Sequence, residues 1–186
     1  EALVGLPASQ EGRKKKFEED VETWKAEVER IDKGCVNGKA IWAAPDFNDA
    51  AWKFMKVPGL MQEQDLPGFS GLVWFRKTID IPAGWAGKDL ILNLGVIDDN
   101  DFTYFNGAQI GHTEGWMAPR SYKIPKELVK KGKAVIAVRV MDTGGTGGIN
   151  GSPESISLHL SDTEAIQLAG NWKYQVSLDM REVAPM

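Results

Sequence analysis

The chain has 186 residues, enough for one domain or one domain with an appendage. Its 22 Lys+Arg against 26 Asp+Glu leave a net charge of −4, which excludes the broad cationic footprint that nucleic acid or an anionic lipid surface requires. No apolar run approaches the ~20 residues of a membrane-spanning helix, and the single cysteine, Cys35, excludes an internal disulfide. Glycine (20) and tryptophan (7) are both frequent, which suits a loop-rich β protein with aromatic-lined surfaces. The chain starts at Glu1 and stops at Val183-Ala184-Pro185-Met186. It reads as a piece excised from a longer protein, so the lack of a signal peptide says little about compartment.

The first 34 residues read as helix. Phe17, Val21, Trp24, Val28 and Ile31 recur at spacings of 4, 3, 4 and 3 and share one face. Ser9 is the expected N-cap and Gly34 the expected C-terminal stop. The run Arg13-Lys14-Lys15-Lys16 opposes the positive end of the macrodipole, so packing must hold the helix. The apolar stripe docks on the domain that follows, on a neighbouring domain, or on a second copy.

From Lys39 the period changes from 3.6 to 2. In 71–81, Val73, Phe75, Ile79 and Ile81 share one face, and Trp74, Arg76, Thr78 and Asp80 the other. Leu90, Leu92, Leu94 and Val96 form the next alternating face. Segments 102–106 and 109–112 flank Asn106-Gly107, a strong two-residue hairpin signal. In 134–141, Ile136, Val138 and Val140 oppose Arg139. Ile156, Leu158 and Leu160 form a further alternating set, and Trp172, Tyr174 and Val176 a last strand. Residues 126–133 read as a short solvated turn of helix. The pattern predicts an all-β fold, a jelly-roll β-sandwich with an N-terminal α-helix. The expected boundaries are 1–38 for the helical linker segment, 39–178 for the sandwich and 179–186 for a C-terminal linker.

No common catalytic constellation is marked by its motif, and nothing favours a Ser-His-Asp triad assembled from scattered residues. No Gly-x-Ser-x-Gly segment occurs, and one Cys with two distant His, His112 and His159, gives no zinc cluster. His159 falls on the polar face of its strand and reads as solvated. Gly144-Gly145-Thr146-Gly147-Gly148 lacks the Lys-Ser/Thr and the helix of a phosphate loop, and reads as a strand connection that lets a ligand or second domain approach the backbone closely. Asp98-Asp99-Asn100-Asp101 is a dense oxygen cluster. Asp98, Asp99 and Asp101 are candidates for a structural Ca²⁺, set against a solvated Asx-rich turn. No other cofactor or metal is expected. Trp116 and Arg120 in a loop, Asp142 at a strand end, and Gly144 and Gly145 form the candidate carbohydrate-binding set. Sugars are held by aromatic faces and by the hydrogen bonds of Asp and Arg. The alternative is that Trp116 is packing and that Arg120 and Asp142 form a structural ion pair.

The segment Gly71-Leu72-Val73-Trp74-Phe75-Arg76-Lys77-Thr78 resembles the "G-x-V-W-[FY]-R-[KR]" strand of the sugar-binding jelly-roll domain of glycoside hydrolase family 2. The same module occurs as an insert in sialate O-acetylesterases. The likeness continues through 81–88, Gly95-Val96-Ile97-Asp98-Asp99, Tyr104-Phe105-Asn106-Gly107 and Val135-Ile136-Ala137-Val138-Arg139-Val140. Asp142-Thr143-Gly144-Gly145-Thr146-Gly147-Gly148 and Leu168-Ala169-Gly170-Asn171-Trp172-Lys173-Tyr174 are similar to the "D-T-G-G-x-G-G" and "L-x-G-x-W-x-Y" segments of the esterases.

This resemblance implies a galactose-binding-like accessory domain of a carbohydrate esterase of the SGNH hydrolase type. The parent removes O-acetyl groups from sialic acids or related glycans and is periplasmic or secreted. Its catalytic residues would lie upstream of Glu1 and downstream of Met186, leaving this piece without activity. Its partner would be the catalytic SGNH domain, with a glycan as ligand and no nucleic acid or membrane. Asp142 matches the family 2 position that reaches the sugar from the end of an "A-V-R-V-x-D" strand. An autonomous carbohydrate-binding module and a ligand-free structural spacer are the alternatives.

Overall fold

The computed structural model describes residues 10–183; inside the helix it leaves out the side chains of Gln10, Phe17, Glu18, Val21, Lys25 and Glu29. The expected N-cap Ser9 and the stripe side chains Phe17 and Val21 therefore lie outside the described residues. In chain order the elements are helix α1 (Gln10–Ile31) and strands β1 (Cys35–Val36), β2 (Lys39–Ala40), β3 (Lys53–Val57), β4 (Gly59–Leu60), β5 (Gly71–Ile81), β6 (Leu90–Asp98) and β7 (Asn100–Phe105). These are followed by β8 (Ala108–Thr113), β9 (Pro119–Ile124), β10 (Gly132–Asp142), β11 (Gly148–Asn150), β12 (Ile156–His159), β13 (Ala165–Gln167) and β14 (Gly170–Asp179). Among the described residues no helix is long and apolar enough to cross a membrane.

Strands β3 to β14 build a β-sandwich of two six-stranded sheets, β1 and β2 pair as a separate ribbon, and all pairs are antiparallel. The first sheet runs β3-β14-β5-β10-β7-β8. The second runs β13-β12-β6-β11-β4, with β9 on the other side of β6. The long central strands β5 and β10 alternate as their β-branched and aromatic residues dictate. Val73, Phe75, Ile79, Ile81, Ile136, Val138 and Val140 point into the space between the sheets. Leu90, Leu92, Leu94, Ile156 and Leu158 answer from the second sheet, and Trp172 fills the space beside them, its Nε1 donating to the Leu168 carbonyl at 2.8 Å. Each such side chain gains about 1.5–3 kcal/mol on leaving water.

Register slips in β6 and β14 shift the alternation of those strands. At Gly95, φ is +63°, and a Cβ there would meet the Asn150 carbonyl oxygen at 2.1 Å. The pairing of β6 with β9 slips between Asn93 and Val96. Ile97, rather than the expected Val96, is therefore the fully buried residue. In β14 a slip between Val176 and Leu178 turns Leu178 to the opposite face. The Asn106-Gly107 turn forms as expected, with φ of 48° and 83°. The solvated turn expected in 126–133 contains the 3₁₀ turn Lys126–Leu128.

The outer face of the first sheet is not solvated. Helix α1 lays Trp24, Val28 and Ile31 on Leu72, Leu178 and Val183, with Val28 wholly buried. Residues 35–52 then cross the same face, where Trp42, Phe47 and Trp52 pack with Trp74, Tyr104 and Ala137. Arg76 lies under this layer, bonded through Nε to Asp49 at 2.8 Å and to the carbonyls of Trp42 and Ala44. Helix α1 stops at Ile31, before the expected Gly34. Asp32 leaves the helix to accept from Arg139 Nε at 2.5 Å, Trp74 Nε1 at 3.3 Å and the Gly34 amide at 2.8 Å. Gly34 is required for space rather than for a left-handed turn: a Cβ there would sit 2.3 Å from Trp74 Nε1.

Candidate functional site

Three loops meet at one end of the sandwich: the β6–β7 turn at Asp98-Asp99, residues 114–118 between β8 and β9, and residues 143–147 between β10 and β11. Each is fixed by a buried polar group. Arg120 lies in β9 rather than in a loop, and is 1% exposed. Its Nε donates to Asp101 at 2.8 Å. Its Nη1 donates to the carbonyls of Gly115 (2.7 Å) and Ala118 (2.5 Å), and its Nη2 to those of Asp99 (3.0 Å) and Thr113 (3.2 Å). Every N–H of the guanidinium is thus used. Asp101, wholly buried, also accepts from Thr103 and the Tyr122 hydroxyl. Burial and the adjacent Asp101 charge push the Tyr122 hydroxyl well above the usual phenol range, so it remains a donor.

Asp142 organises the glycine loop and is wholly buried. It accepts from Gln62 at 2.6 Å and from the Gly144 amide at 2.9 Å. Gln62 receives the Gly147 amide at 2.8 Å. A Cβ at Gly147 would come within 2.7 Å of Asp142, so this backbone passes directly over the carboxylate. Asp99 accepts from both the amide (2.8 Å) and the hydroxyl (2.5 Å) of Thr143, tying the β6–β7 turn to the same loop.

Three carboxylates therefore converge. Burial, Asp99 and Asp142 raise the pKa of Asp98 to about 6. Burial also raises Asp142, while the Thr143 donors hold Asp99 low. For the Ca²⁺ candidates, Asp101 is committed to Arg120, Tyr122 and Thr103, and Asp99 to Thr143. Among the described residues no group of three or more His, Cys, Asp and Glu is arranged to hold a metal.

Of the expected site residues, Trp116 is 57% exposed, beside Met117 at 67%, and Gly144 and Gly145 are exposed. Arg120 and Asp142 lie beneath them. They do not pair with each other: Arg120 is neutralised by Asp101. Gln62 and Asp101, on which the arrangement depends, escaped sequence reasoning as supports. The alternation of Arg120, Tyr122 and Ile124 in β9, all buried, was the available signal for a strand there.

Among the described residues neither histidine is paired with an accessible serine. His159 Nε2 lies 2.8 Å from Ser157 Oγ, but Ser157 is 1% exposed and its hydroxyl also meets the Glu154 carbonyl. No hydrogen bond to an orienting acid is found for His159 among the described residues. His112 stacks on Phe102 with ring centroids 4.1 Å apart, and its Nδ1 lies 2.7 Å from the Asp101 carbonyl oxygen.

No protein-family model matches the chain. Among solved structures it resembles β-glucuronidase 2 of Bacteroides uniformis, in complex with a covalently bound cyclophellitol-6-carboxylate aziridine. The TM-score is 0.53 at 20% identity, over 76% of this chain and 16% of the enzyme. It also resembles a glycoside hydrolase family 2 member from Bacteroides cellulosilyticus, with a TM-score of 0.51 at 23% identity, over 62% of this chain and 17% of that one. The likeness is one of fold, and the chain spans about a sixth of the length of these enzymes.

Proposed function

We propose that the chain is a non-catalytic, carbohydrate-binding-like accessory domain of a larger carbohydrate-active enzyme. The observation that carries this reading is Trp116, the exposed one of the seven tryptophans, presented on a loop whose carbonyls are gripped from below by a saturated, buried arginine. A large aromatic face held out in water by a rigid scaffold is the element that stacks on the C–H face of a sugar. The open glycine backbone at Gly144 and Gly145 lets a glycan, or the rim of a neighbouring catalytic domain, approach closely. Arg120 and Asp142 act in this reading by positioning these loops.

The finer reading is that the parent is a carbohydrate esterase of the sialate O-acetylesterase kind. Its support is the pair of segments at 142–148 and 168–174. The expression product of the full reading frame that contains this sequence then releases acetate from O-acetylated sialic acid, while the 186-residue chain alone releases none. Acetate release by the isolated chain, blocked by a serine-directed inhibitor, contradicts the accessory role.

Binding is tested by titrating the chain with galactosylated and sialylated glycans and following tryptophan fluorescence. Free-standing modules of this kind reach a Kd of about 10⁻³–10⁻⁵ M, or roughly 4–7 kcal/mol. The expected result is a saturable change lost in Trp116→Ala. No response to any glycan at millimolar concentration favours the ligand-free spacer.

A further inference from the structure

The loops around Trp116 are acidic. Residues 98–99, 114–118 and 143–147 contain Asp98, Asp99 and Glu114 and no lysine or arginine. Glu114 is exposed, and Asp98 and Asp99 are half-buried. The aspartates are held close to the Trp116 loop because one guanidinium spans both segments. Arg120 donates to the Asp99 carbonyl at 3.0 Å and to the Gly115 carbonyl at 2.7 Å. Asn100 adds a second tie, its Oδ1 accepting from the Gly115 amide at 3.1 Å.

The cations nearby do not offset these carboxylates. Arg120 is 1% exposed and is neutralised by the wholly buried Asp101, so that pair adds no net charge. Arg181 is brought to the same end, since Gly71 pairs with both Asp142 and Asp179, and there it is bound to Asp179. His112 approaches Glu114 through Nε2 at 3.6 Å and offsets it only when protonated. The Asp98 carboxyl responds to the resulting field: burial and the neighbouring Asp99 and Asp142 raise its pKa to about 6. An aromatic face stacks on a sugar ring whatever charge the ring carries. Charged groups beside it decide which rings are admitted, because like charges brought together repel.

We propose that the Trp116 loops select neutral and cationic sugars and turn away acidic ones, a specificity that rests on the reading of Trp116 as the sugar-stacking face. Glu114 sets it, with Asp98 and Asp99 behind. The Glu114 carboxylate accepts a hydrogen bond from a sugar hydroxyl or, more strongly, from an ammonium. A sugar carboxylate meets three like charges and no lysine or arginine of these loops. In a sialylated glycan the domain therefore engages the neutral residues and leaves the acid free.

D-galactosamine, D-galactose and D-galacturonate share one ring and carry, near neutral pH, a positive charge, none and a negative charge. Each is titrated into the whole chain while the Trp116 indole N–H resonance is followed. The expected result is that affinity falls in that order, with galactosamine roughly fivefold or more ahead of galacturonate at low ionic strength. In about 1 M salt, where the Debye length is ~3 Å, the spread narrows. Glu114→Gln, at an exposed position, also narrows it, and Glu114→Lys brings galacturonate level with galactose or ahead of it. Equal affinities for the three sugars, galacturonate bound tightest by the unsubstituted chain, or a spread unchanged in both variants and in high salt overturns the specificity while leaving the Trp116 reading standing. An indole that none of the three sugars shifts at any soluble concentration overturns it too, and the glycan titration then decides the Trp116 reading by itself.

Discussion

The two faces of the first sheet are built on opposite principles. Toward the second sheet the filling is apolar, and alternation alone specifies it. Away from it, the same strands β5 and β10 carry Trp74, Arg76 and Arg139, which are just as buried under α1 and residues 35–52. There the arginines are neutralised by Asp49 and Asp32, contributed by the N-terminal segment. The first face loses free energy when volume is removed. The second loses it when a charge is left alone, and tolerates removal of both charges together.

This contrast predicts its own ordering of effects. Arg139→Met leaves Asp32 as an uncompensated buried charge and should cost about 3–5 kcal/mol in urea unfolding, whereas the double variant with Asp32→Asn recovers most of that loss. If the double variant is as damaged as the single one, the outer face is held by packing instead. Leu92→Ala, in the apolar face, should cost about 2–5 kcal/mol with no such rescue available. Gly34→Ala drives a methyl into the Trp74 indole and should cost about 1–3 kcal/mol, read as a lowered Tm.

A smaller effect separates the loop end from both faces. The folded-state pKa of Asp98 is raised from 3.8 to about 6, so the native state holds a proton that the unfolded chain has already released. The contribution of Asp98 to stability is therefore intact below pH about 4 and falls as pH rises through about 6. Asp98→Asn should match the parent at low pH and exceed it in stability above pH 6. A stability difference independent of pH would show that Asp98 titrates normally. Trp116→Ala should change stability least, within about 0.5 kcal/mol, because its side chain is exposed.

The inner face was legible because period-2 alternation and the Asn106-Gly107 turn are local signals. The outer face was not, because a buried arginine looks like a solvated one until its partner is known. Asp32 lies 107 residues from Arg139 in the chain. The Asn37-Gly38 turn between β1 and β2, with φ of 51° and 73°, carried the same signal as Asn106-Gly107 and marks the start of the covering layer. At the loops, the residues of the candidate set come together at one end of the sandwich. Their division into exposed and buried members was not readable, since it depends on Gln62 reaching Asp142 across 80 residues. The Gly95 bulge was missed because a glycine within an alternating run does not by itself announce a slip.

The accessory-domain account is tested most directly by the indole N–H resonances of the seven tryptophans during titration with galactosylated and sialylated glycans. The account predicts that the Trp116 indole moves saturably at millimolar ligand while the buried indoles of Trp74 and Trp172 stay in place. A Trp116 resonance that no glycan moves would contradict it.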